Sequence, residues 1–162
     1  MKDLLSKEAI ADLEFRINQE EFSSRLYEDM SLWFEDKGYA GFAALYSKYA
    51  QEELTHAGWS KKFLLSFNLK PCLKAIPSPE AEYSSCMDIL EATVDHEKLI
   101  SEQCQAFAIN ALKRGEIMLH QLGLKYCSEQ VEELDKAFSI RSMAKLTSDM
   151  LVLDNYIKEN YL

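Results

Sequence analysis

All three prolines of this 162-residue chain fall between Pro71 and Pro79, and its five glycines are scattered singly. Proline breaks a helix interior and, with glycine, supplies the corners of β-turns. Two long tracts without proline, on either side of residues 71–79, therefore favour long helices and argue against an all-β fold.

Within those tracts the apolar pattern marks the elements. Ser6 can cap a helix with Glu8 in its first turn, and apolar residues recur at helical spacing to Trp33 and Phe34, where Glu35–Gly38 ends the run. The spacing predicts a second helix over about 39–67, a loop over 68–79, a third helix over about 81–112, a turn at 113–116 and a fourth helix to about Lys145. Thr147 or Ser148 is expected to cap a shorter fifth helix ending at Leu162. Two long hairpins joined by a long link describe an all-α four-helix bundle with one crossover and a short C-terminal helix. The expected organisation is a single domain over 1–162, with the bundle at about 6–145 and the short helix at about 148–161.

The apolar stripes are interrupted in the middle. On the first helix Ile10, Leu13, Ile17, Glu20, Ser24 and Tyr27 share a face; on the second, Phe42, Leu45, Tyr49, Glu53, His56, Phe63 and Phe67 do. The third aligns Leu90, Val94, Glu97, Ile100, Cys104 and Phe107, and the fourth Leu119, Leu122, Tyr126, Gln130, Glu133, Ala137 and Ile140. Helices rise ~1.5 Å per residue, so depth follows from the distance to each turn. Glu20 and Glu53 lie about equally far from Lys37, and Glu97, Gln130 and Glu133 about equally far from Arg114. Glu20, Glu53, His56, Glu97, Gln130 and Glu133 are thus expected to meet at mid-bundle.

Four carboxylates in a dry core would repel one another, and each must take up a proton or share a metal ion. Two divalent cations would balance four such charges. Carboxylate oxygens with one imidazole favour iron or manganese over structural zinc, which normally takes more sulfur or nitrogen. One Glu-x-x-His, Glu53 to His56, is present; where a di-iron carboxylate bundle has a second, this chain has Gln130-Val131-Glu132-Glu133. One metal would have an imidazole ligand and the other only oxygens, so the two should differ in affinity.

The charge balance agrees with a cationic ligand. Twenty-seven acids against eighteen Lys and Arg leave a net charge of −9, which argues against nucleic acid or an anionic membrane as partner. Cys72, Cys86, Cys104 and Cys127 are too dispersed for a CxxC motif and read as free thiols. An early acid at Glu8, no apolar leader and no membrane-length apolar run predict a soluble, cytoplasmic protein. His96 and His120 belong to no motif and are expected to be packing or surface residues.

The ordered set of motifs resembles the non-haem bacterial ferritins along essentially the whole chain. Asn18–Ser24 with Tyr27 is similar to that family's first-helix motif, Gln51–His56 to its second, Asp95-His96-Glu97 to its third and Ser128–Glu133 to its fourth. Leu54 after Glu53 offers no sulfur to a haem, which separates the chain from bacterioferritin, and the missing CxxC pair separates it from rubrerythrin. The absence of a basic N-terminal tail separates it from the DNA-protecting mini-ferritins.

The resemblance implies a ferritin-like domain without haem that oxidises Fe(II) with dioxygen or hydrogen peroxide and stores the ferric product as mineral. It implies that Glu20, Glu53 and His56 hold a first iron, with Glu53 bridging to a second held by Glu97 and Glu133, while Gln130 lines the centre and Tyr27 lies beside it. It further implies a third iron site made by Glu52, Glu129, Glu132 and Glu133. Storage needs an enclosed volume that one bundle with a core ~10 Å wide cannot supply. The family builds shells of twenty-four subunits with the fifth helix around the four-fold axes. Met150, Leu151, Val152, Leu153 and Ile157 make that helix apolar on most sides, suited to such burial or to packing back on its own bundle.

Overall fold

A computed structural model describes residues 4–162. Five helices form, α1 (Lys7–Lys37), α2 (Ala40–Ser66), α3 (Cys86–Lys113), α4 (Ile117–Leu146) and α5 (Met150–Asn160), with no strand among the described residues. Ser6 caps α1 as its sequence suggests, its Oγ accepting from the Ala9 amide at 3.0 Å. Gly38, at φ 87°, ends the same helix in the left-handed conformation that glycine adopts without steric cost. The Gly38 and Tyr39 amides then donate to the Glu35 and Phe34 carbonyls, and the chain turns directly into α2.

α1 packs on α2 and α3 on α4 as antiparallel hairpins. The crossover between them lies along α1: the Cys72 amide donates to Glu14, the Ala75 carbonyl accepts from Asn18, and the Tyr83 carbonyl accepts from Trp33 Nε1. This traverse carries the chain the length of the bundle, so α3 runs antiparallel to α1.

Two helix starts differ from expectation. α3 begins at Cys86 rather than near Ala81, because Ser85 and Asp88 close a reciprocal capping box and Trp33 holds Tyr83 in the crossover. α5 is capped by Asp149, whose carboxylate accepts from the Leu151 amide, and not by Thr147 or Ser148. Thr147 Oγ1 instead accepts from the Asp149 amide and sets the turn.

The apolar core is divided. One cluster joins Tyr27, Phe34, Phe42, Tyr46, Ile89 and Ile140 to Leu153 and Ile157 of α5; another joins Leu13, Ile17, Leu64, Phe107 and Leu119 at the opposite end. The polar residues of the stripes lie in the layer between them.

α5 is fastened to α2 by one buried acid. Asp154 accepts from the Gly41 amide at 3.1 Å and the Phe42 amide at 2.8 Å, pairing donors that the first turn of any helix leaves free. Gly41 makes the approach feasible, since a Cβ there would collide with the Asp154 carbonyl oxygen and lie 2.9 Å from Oδ1. Gly41→Ala is therefore expected to displace α5 and destabilise the subunit by about 1–3 kcal/mol. Urea unfolding, with tryptic cleavage within α5 as a local readout, checks this.

Candidate metal centre

The six residues expected at mid-bundle are all buried: Glu20 from α1, Glu53 and His56 from α2, Glu97 from α3, Gln130 and Glu133 from α4. Glu20, Glu53 and His56 converge most tightly, each offering a ligand atom within 4.8 Å of the others. His56 Nδ1 lies 3.3 Å from Glu53 Oε2 and 3.9 Å from Glu20 Oε2. Across the layer Gln130 Nε2 donates to Glu97 Oε2 at 3.0 Å, and the Tyr27 hydroxyl donates to Glu97 Oε1.

The acids attributed to a third iron by resemblance are placed less uniformly. Glu129 is half-buried, its Oε1 3.4 Å from His56 Nε2, so it can orient the imidazole from the side away from Glu53. Glu52 is half-buried with Oε2 enclosed and, among the described residues, unpartnered, whereas Glu132 is exposed.

Burial dominates the electrostatics. It pushes the Glu53 carboxyl well above the usual carboxylate range, reinforced by a hydrogen bond and charge from Glu20 and by the charges of Glu97 and Glu133. Glu97 is pushed up to about 8, although the Tyr27 hydroxyl favours its ionised form, and Glu133 to about 7 against the opposing pull of Lys136. Tyr27 is itself raised well above its ordinary value by burial and the Glu97 charge, so its hydroxyl keeps its proton. Without metal the layer thus holds protons that an entering cation would have to displace.

A pH dependence follows. Between the ordinary carboxyl value of 4.5 and about 8, Glu53, Glu97 and Glu133 hold more protons in the folded metal-free protein than in the unfolded chain and outweigh the opposite effect of His96, so stability falls as pH rises through that window. Thermal midpoints of metal-free protein should be lower at pH 8 than at pH 5, with the slope reduced when divalent metal is bound. A rising metal-free profile would contradict these shifts.

Several neighbours of the centre escaped the periodicity argument. Arg16, 1% exposed, lies one turn before Glu20 and donates from Nε to Glu20 Oε1 at 2.8 Å and from Nη1 to Gln103 Oε1 at 3.2 Å. Burial disfavours its charge, and Glu20 together with Cys104 and Tyr126 more than offsets that cost. Tyr126 donates its hydroxyl to the His56 carbonyl at 2.6 Å, fixing the backbone of that turn. The Trp59 ring lies 4.7 Å from the His56 ring. The i, i+4 spacing of Arg16 and Glu20 was the available signal for the ion pair.

His96 and His120 are packing residues, as expected. His96 Nε2 meets Ser23 Oγ at 2.8 Å with its ring edge-on to Tyr27, and burial lowers its pKa to about 4; His120 Nδ1 donates to the Ala108 carbonyl. All four cysteines are free.

The comparisons decide the family. The family model described as a ferritin-like domain matches residues 10–142, from the first turn of α1 into the last turns of α4. The chain belongs to the ferritin family. It is 34% identical over 130 residues to the bacterial non-heme ferritin of Escherichia coli O6:H1, covering 80% of this chain and 79% of that one. It is 28% identical over 159 residues to the bacterial non-heme ferritin of Campylobacter jejuni, covering 96% and 95% of the two chains. Its fold matches an open pore ferritin from the hyperthermophilic archaeon Archaeoglobus fulgidus with a TM-score of 0.92 and 26% identity, over 96% of this chain and 98% of that one. Among the described residues, no helix of this ferritin-family chain is long and apolar enough to cross a membrane.

Proposed function

We propose that this chain, as one ferritin-like domain over 1–162, oxidises Fe(II) at an intrasubunit di-iron centre and stores the ferric product as an oxyhydroxide mineral inside a cytoplasmic shell of twenty-four copies. The observation that carries the reading is the meeting, in one buried layer, of four carboxylates and an imidazole drawn from all four helices. That donor set suits iron, because hard oxygens favour Fe(III) over Fe(II) and one imidazole distinguishes the two positions.

In this reading Fe(II) is the substrate. Glu20, Glu53 and His56 receive the first ion, Glu53 bridges, and Glu97 and Glu133 receive the second. Two Fe(II) together supply the electron pair that takes dioxygen or hydrogen peroxide to its reduced product. The protein's part is to gather the ions, release the protons held by Glu53, Glu97 and Glu133, and keep Glu97 oriented through Gln130 and Tyr27. The ferric ions then leave, hydrolyse and add to the mineral. Haem has no part in this scheme.

The outer surface of α5 supports self-association. Leu153 and Ile157 are buried against the bundle while Leu151, Val152 and Tyr156 are exposed, as is Leu146 just before the helix. We assign this exposed face to the contact among copies around the four-fold axes.

Anaerobic Fe(II) titration followed by oxygen, with particle mass measured in parallel, tests the whole reading. Rapid oxidation of about two Fe(II) per subunit, then growth of an iron core in a particle of roughly 24 subunits, is the expected result. Failure to bind iron would overturn it, and oxidation without a core would confine the role to iron or peroxide chemistry without storage.

A further inference from the structure

Beside the acids of the expected third iron site, α4 carries a lysine. Lys136 lies one turn after Glu133, its Nζ 3.4 Å from Glu133 Oε1, and its side chain is 34% exposed. Glu129, Glu133 and Lys136 follow the i, i+4, i+7 spacing of one helix face. Glu52 of α2 has its Oε2 enclosed and, among the described residues, without a hydrogen-bond partner. The fourth acid of the expected third iron site, Glu132, is exposed.

We propose that the Lys136 ammonium, paired with Glu133, is the resident cation of this position, in place of a third metal ion that Glu52, Glu129 and Glu133 would otherwise share. The proposal rests on the di-iron reading and refines its stoichiometry to two tightly held ions per subunit. A metal ion on the same oxygen of Glu133 would sit within about 4 Å of the ammonium, and the repulsion at that separation lowers its affinity by at least about a hundredfold. With Oε1 held by Lys136, Glu133 has its other oxygen free for the second metal and is restrained from swinging outward. The side chain thus acts as a positioning residue and as an internal counter-ion.

Calorimetric titration of the metal-free assembled protein with Zn(II), which binds without oxidation, provides the test. Wild type should bind two Zn(II) per subunit. Lys136→Met, and independently Lys136→Gln, should bind a third ion at least about a hundredfold more tightly than wild type does. Lys136→Arg keeps the charge and should remain at two, and the double variant Lys136→Met/Glu129→Gln should return to two. Far-ultraviolet circular dichroism verifies that each variant keeps its helices. Three tight ions in wild type, or two in both neutral variants, would overturn the proposal while leaving the di-iron reading intact. No tight ion in any variant would overturn the di-iron reading and this proposal with it.

Discussion

Glu53→Gln is expected to slow Fe(II) oxidation by at least about a hundredfold while making the metal-free protein more stable. Glu53 lies at the crossing point of the centre: it neighbours His56 at 3.3 Å, hydrogen-bonds with Glu20, and feels the charges of Glu97 and Glu133. A carboxylate able to bridge two ions cannot be replaced by a neutral amide of the same shape. The same substitution relieves a buried carboxyl whose ionisation burial opposes, so near neutral pH the metal-free thermal midpoint should rise by a few degrees, about 2–4 °C for each kcal/mol recovered. Stopped-flow absorbance of ferric product and calorimetric melting measure the two effects separately. The harsher Glu53→Ala/His56→Ala variant should show no rapid phase at all, and wild-type rates there would refute the assignment of these residues.

The second large effect belongs to Arg16. Arg16→Met removes the guanidinium but keeps much of the bulk, leaving Glu20 buried without its 2.8 Å partner, and removal of one member of a buried pair costs about 3–5 kcal/mol. The loss should appear in full in the metal-free subunit. In the presence of saturating Zn(II) most of it should vanish, because a cation held by Glu20, Glu53 and His56 replaces the missing charge and bound metal stabilises by mass action. Arg16→Lys should fall between, since an ammonium keeps the charge but not the fork that reaches Glu20 and Gln103 together. Urea unfolding with and without metal checks this, and a loss of equal size in both conditions would mean that Arg16 acts only through packing.

The bundle and its polar layer were legible because one physical rule governs both. Helical periodicity places Glu20, Glu53, Glu97 and Glu133 on core faces, and the fixed rise per residue brings them to one level; all four are buried there. The start of α3 does not follow from periodicity, since residues 81–85 carry no breaker: its local signal is the Ser85 to Asp88 capping-box spacing, and a contact with Trp33, far away in sequence, holds Tyr83 in the crossover. Arg16 is hidden from the same pattern for a related reason: hydrophobic patterning counts arginine as a surface residue, and only the partner in space reveals why this one is enclosed. Glu52 and Glu132 show the converse limit. Sequence sees two acids beside known motifs but not that one has an enclosed oxygen while the other faces water.

The Asp154 clamp has a consequence for biosynthesis. Its carboxylate is made 112 residues after Phe42 and 113 after Gly41, the residues whose amides it receives. On a chain emerging from the ribosome, the leading turn of α2 therefore keeps two unmated donors throughout translation of α3 and α4, and is completed only when α5 arrives. Partially synthesised subunits lack that closure and the α5 face together, so the surface assigned to assembly becomes available only on a bundle whose first hairpin is already sealed.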